Sequence, residues 1–84
     1  MEVKNWSPEE IAQKVSEIIV DRLSVKKEEV VPNVSFTELG ADSLDTVELG
    51  MEVEKAFNIT LKDEDVEKLG NVQDLIDLIA KMVN

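Results

Sequence analysis

Apolar residues recur along this chain at helical rather than strand spacing. Ile11, Val15, Ile18, Ile19 and Leu23 predict a first helix over residues 8–23, with Glu9, Glu17 and Asp21 on its other faces. Ser7-Pro8-Glu9-Glu10 is a strong start for it. Ser7 suits the N-cap, Pro8 the first helical position, and Glu10 completes a capping box. Trp6 is expected to act as a hydrophobic staple; residues 1–6 otherwise carry no pattern and read as loose. Pro32, Asn33, Ser35 and Gly40 break any period between residues 24 and 42. A connection of that length needs pins, and Val30, Val34, Phe36 and Leu39 are expected to supply them, with Glu28-Glu29 in a short turn. A second helix is predicted over residues 43–57. Asn58-Ile59-Thr60 is a β-prone break. Lys62-Asp63-Glu64-Asp65 opens a short third helix, with acids where the macrodipole favours them, ending before Gly70 in a left-handed cap. Asn71 caps a fourth, whose Val72, Leu75, Ile76, Leu78, Ile79, Met82 and Val83 form a broad apolar face. The expected fold is all-α: one four-helix bundle domain over residues 1–84, with three main helices, a short third and a long first loop.

The second helix carries two apolar stripes. At about 100° per residue, Thr46, Leu49, Val53 and Phe57 fall within about 80° of one another, which suits a core face. Leu44, Val47 and Met51 form the second stripe. Asp45, Glu48 and Glu52 line one edge of it and Glu54 the other. One buried face is enough for a helix in a small bundle. A second stripe framed by carboxylates is expected to dock a basic partner; the alternative is burial of both stripes between neighbouring helices.

Charge sharpens this picture. The net charge is −10, which argues against nucleic acid as a partner. Residues 42–67 hold nine carboxylates (Asp42, Asp45, Glu48, Glu52, Glu54, Asp63, Glu64, Asp65, Glu67) against Lys55 and Lys62. That field would speed the approach of basic proteins. No apolar run reaches membrane length, and no basic region followed by an apolar segment marks a secretory signal. The sequence has no cysteine and no histidine, so disulfides, a thiolate site and the usual general base are excluded. Asp63-Glu64-Asp65-Val66-Glu67 lacks the glycine and spacing of a calcium loop, and no metal site is expected.

Ser43 is the candidate for chemistry. A serine nucleophile needs a neighbouring base, and no histidine exists and no lysine lies within a helical turn of Ser43. The chain is therefore not expected to be an enzyme. Asp42 and Ser43 are both good N-cap residues, and Ser43 as a plain cap would leave the chain a small acidic helical adaptor or metal-responsive module. The remaining reading is an attachment point.

The stretch GADSLDTVEL, led in by FTELGADSL and followed by VEKAFNITLKDEDVEKLGNVQDLIDLI, resembles the acyl carrier proteins of type II fatty acid synthesis from about Ile11 to Val83. The resemblance implies that a phosphopantetheinyl transferase (holo-carrier synthase) esterifies Ser43 with 4′-phosphopantetheine from coenzyme A. The arm would supply the thiol that the chain lacks, and a phosphodiester at a helix N-terminus meets a favourable dipole. It implies that Leu44, Val47 and Met51, with Asp42, Asp45, Glu48 and Glu52, meet the basic surfaces of fatty acid synthesis enzymes and acyltransferases. It places the acyl chain near Phe36, Thr46, Leu49, Gly50, Val53 and Phe57. A polyketide or other specialised acyl pathway is the alternative within the class. The expected setting is bacterial cytoplasm, or an organelle matrix after removal of a transit peptide, and the expected state is a monomer. Three positions depart from the family. Lys55 and Ala56 stand where many relatives carry acids. Gly50 stands where an aliphatic residue is usual, at a cost of roughly 1 kcal/mol in helix propensity against Ala. Gly50 is thus expected to widen the pocket entrance or ease bending of the helix, and Gly50→Val to stabilise the fold.

Overall fold

The computed structural model describes residues 6–83, so the expectation for residues 1–5 lies outside them. Among the described residues four α-helices follow one another: α1 (Pro8–Leu23), α2 (Ser43–Phe57), α3 (Asp63–Glu67) and α4 (Val72–Val83). One 3-10 turn, Lys27–Glu29, interrupts the long first connection, where Glu28-Glu29 pointed. Among the described residues there is no strand, only an isolated bridge between Ser35 and Asn71.

The caps explain the boundaries. Glu10 donates its N–H to the Ser7 hydroxyl while the Glu10 carboxylate accepts from the Ser7 N–H, the reciprocal box expected there. Ser24 and Asn58 end α1 and α2 in the left-handed region, at φ 55° and 56°, a conformation that a short polar side chain tolerates. Asn71 opens α4 by accepting the Asp74 N–H at 2.8 Å. Gly70 is not a left-handed cap, contrary to the sequence expectation. The third helix stops at Glu67, and the only glycine with positive φ is Gly40, at 87°. Gly70 instead hands its N–H to the Asp74 carboxylate and its carbonyl to the Phe36 N–H. A Cβ there would lie 3.2 Å from Asp74 Oδ2.

Helix α1 packs on α2 and α4, and α3 leans on α2. The core is aliphatic: Ile11, Val15, Ile19, Leu49, Val53, Leu75 and Ile79 are almost completely buried. Phe57 closes one end, with Trp6 tilted against it at 4.6 Å between ring centroids. The long loop is held partly by side chains, since Phe36 and Leu39 are buried and Val30 and Val34 pack against the core. It is also held by backbone. Phe36 N–H donates to Gly70, Val72 N–H to Val34, and Gln73 N–H to Pro32. These bonds tie the first connection to the α3–α4 corner.

A reciprocal Ser35–Glu38 box lies within this loop. The Ser35 N–H, and then its hydroxyl, hold the Glu38 carboxyl below its ordinary value of 4.5. A depressed folded pKa means the charged form adds stability above the unfolded pKa, and the contribution is lost as pH falls through the folded value. Glu38→Gln should therefore melt below the wild type at neutral pH, with the gap closing in acid beneath 4.5. Parallel thermal melts down the pH scale measure this, and a gap that persists in strong acid would contradict it.

Gly50 is buried against α3. A Cβ at that position would stand 3.3 Å from one methyl of Val66 and 3.6 Å from the other. The geometry weighs against the expectation that valine stabilises here, because the Cβ alone already sits tightly on Val66 and α3 must give by a few tenths of an ångström to admit it. Gly50→Val is expected to cost about 1–3 kcal/mol by overpacking, against a propensity gain of about 0.4 kcal/mol. Urea denaturation decides the sign; a raised midpoint would show that α3 yields freely.

Candidate functional site

The turn before α2 sets the site. Gly40, at positive φ, lets the chain reverse, and the Ala41 N–H returns to the Phe36 carbonyl at 2.9 Å. Asp42 then caps the helix. Its carboxylate accepts the Asp45 N–H at 2.9 Å, and the Asp45 carboxylate accepts the Asp42 N–H at 3.1 Å. Thr46 sends its hydroxyl to the Asp42 carbonyl. Of the two cap candidates in the sequence, Asp42 takes the role. Ser43 is left as the first helical residue, exposed, and its hydroxyl makes no hydrogen bond among the described residues. The Ser43 and Leu44 N–H groups likewise find no acceptor among them.

Beside Ser43 opens a cleft of about 590 Å³ between the loop, α2 and the α3–α4 corner, lined by Phe36, Thr37, Ala41, Thr46, Val47, Val66, Leu69 and Gly70 among others. A smaller cavity of about 200 Å³ continues along the same seam past Val47 and Val66 to Gly50, Met51 and Leu61. Of the residues expected around an acyl chain, Phe36 and Thr46 thus line the cleft and Gly50 the smaller cavity. Leu49, Val53 and Phe57 lie behind them in the core. Val66, Leu69 and Gly70 were not picked out in the sequence. Val66 had a readable signal, as the one apolar residue in an otherwise acidic short helix that must bury a face.

The second stripe of α2 is open to solvent: Leu44 is 66% exposed, Met51 52% and Val47 38%. Burial of both stripes is therefore excluded. Four of the carboxylates around it have internal partners. Asp42 and Asp45 form the cap, Glu54 accepts the Leu61 N–H at 2.8 Å and so braces the α2–α3 connection, and Glu48 accepts from Arg22 at 3.0 Å. Among the described residues no group of three or more metal-ligating side chains converges, and no helix is long and apolar enough to cross a membrane.

Residues 13–79 match the family described as the phosphopantetheine attachment site. An acyl carrier protein of Chlorobium phaeovibrioides is 52% identical over 73 residues, covering 86% of this chain and 94% of the relative. That of Chlorobium luteolum matches equally well. The crystal structure of the acyl carrier protein of Thermotoga maritima superposes with a TM-score of 0.78 at 34% identity, over 88% of this chain and 87% of that one. An HMG-ACPI domain from the CurA module of Lyngbya majuscula shares the fold, with a TM-score of 0.80 at 23% identity over 96% and 83% of the two chains. The fold and these matches define a phosphopantetheine-carrying bundle. The chain belongs to the acyl carrier protein family, whose members carry acyl groups on that arm rather than catalyse a reaction.

Proposed function

We propose that Ser43 bears the 4′-phosphopantetheine arm, and that the chain serves fatty acid synthesis in the bacterial cytoplasm as a monomer. The observation that carries the assignment is the free, exposed hydroxyl at the first position of α2, with the cap supplied by Asp42 instead. The surroundings fit a phosphodiester. The helix presents its positive dipole end and the unused N–H groups of Ser43 and Leu44. When attached, the arm supplies the thiol on which an acyl group is held as a thioester; the chain has no cysteine of its own.

The exposed Leu44, Val47 and Met51 form the apolar contact for the transferase that loads the arm and for the synthesis enzymes, with Asp42, Asp45, Glu48 and Glu52 facing their basic residues. Weak, exposed pairs suit a carrier that must release each partner. The cleft beside Ser43 receives the acyl chain, entering past Phe36 and Thr46, with Gly50 further along the seam and Leu49, Val53 and Phe57 as the inner wall. Supplying the loaded protein to a reconstituted bacterial fatty acid synthase system tests the pathway. Elongation on the protein supports it. Loading without elongation there, together with turnover by a polyketide ketosynthase, would move the chain to a specialised acyl pathway.

A further inference from the structure

We infer that Arg22 is an internal counter-ion of the docking face, competing with a partner's basic residues for Glu48. The inference rests on the reading of α2 as the surface that meets the transferase. Arg22 lies in the last turn of α1 and reaches across to α2, placing Nη2 3.0 Å from Glu48 Oε2. The two side chains are 37% and 41% exposed, so the pair lies at the surface, and Val47, the neighbour of Glu48 in the exposed stripe, is open as well.

The other carboxylates with internal partners differ in kind. Asp42, Asp45 and Glu54 accept neutral backbone N–H groups, which bring no opposite charge to the face. Glu48 instead faces a guanidinium, so its pull on an approaching cation is partly offset in the free protein. An exposed pair is weak, so a partner's lysine or arginine can displace Arg22. The displaced guanidinium then stays at the rim and repels a uniformly basic surface. Rim charges act mainly on encounter and on salt dependence. Arg22 therefore lowers affinity for basic partners without touching the chemistry at Ser43.

The test is steady-state transfer from coenzyme A by a bacterial phosphopantetheinyl transferase with a basic carrier-binding surface, at low and high salt. Four proteins are compared: wild type, R22Q, E48Q and the double variant, with thermal melts to show that each is folded. R22Q is expected to lower the carrier KM about two- to fivefold at low salt with kcat unchanged, the gain fading as salt screens the face. E48Q raises KM, and in its background the gain from R22Q falls by half or more. An unchanged or higher KM in R22Q, or a gain that survives E48Q by more than half, overturns the inference. A loss of melting temperature without the KM change assigns Arg22 a purely structural role and overturns it equally. No transfer even to folded wild type would instead overturn the reading of Ser43 on which this rests.

Discussion

Phe36→Ala is expected to remove about 3–5 kcal/mol of stability. A domain of this length holds about 4–13 kcal/mol in total, so the variant loses a large share of its stability and unfolds at room temperature if the wild type lies at the low end of that range. Phe36 is 4% exposed and sits in the middle of the long connection, where there is no helix to hold the backbone. Its ring fixes the loop to the core, and its N–H reaches Gly70 beside the α3–α4 corner. Losing the ring leaves a cavity under a segment that also lines the cleft by Ser43. The turn at Gly40 and Ala41 should loosen with it, since the Ala41 N–H depends on the Phe36 carbonyl. Urea denaturation followed by circular dichroism gives the number. A loss under about 1.5 kcal/mol would mean that the backbone bonds to Gly70, Val34 and Pro32 hold the loop by themselves.

That loop also marks where the sequence stops being informative. The three main helices were legible, each from a local signal: the capping box at Ser7 and Glu10, the apolar period of α2, and the apolar face after Asn71. The pins Phe36 and Leu39 were legible as apolar residues in an otherwise polar stretch. The backbone ties from residues 32–36 to residues 70–73 were not, because they join segments far apart in the chain and leave no period. They also explain the misreading of Gly70. Its carbonyl serves the loop and its N–H serves Asp74, so it has no cap to form.

At the site, the second stripe and the carboxylates around it followed from helical geometry, but its exposure was one of two readings, decided only by where the neighbouring helices pack. The choice between Asp42 and Ser43 as cap turned on Asp45, three residues after Asp42, which closes the box reciprocally. The Arg22–Glu48 pair and the contact of Gly50 with Val66 each join different helices. A single chain read in order does not display such neighbours.

Ser43→Ala is the second large effect, and it concerns chemistry rather than stability. The hydroxyl makes no hydrogen bond among the described residues, and Asp42 holds the cap, so the substitution should leave the free energy of unfolding within about 0.5 kcal/mol of wild type, as an exposed change does. Modification, in contrast, should vanish, because the hydroxyl oxygen that would form the phosphodiester is gone.

Intact mass, measured on wild type and Ser43→Ala after incubation with coenzyme A and a broad-specificity phosphopantetheinyl transferase, tests whether Ser43 bears the arm. A gain of one phosphopantetheine is expected on the wild type and none on the variant. A gain on both, or no gain on a folded and initially unmodified wild type, would contradict that assignment.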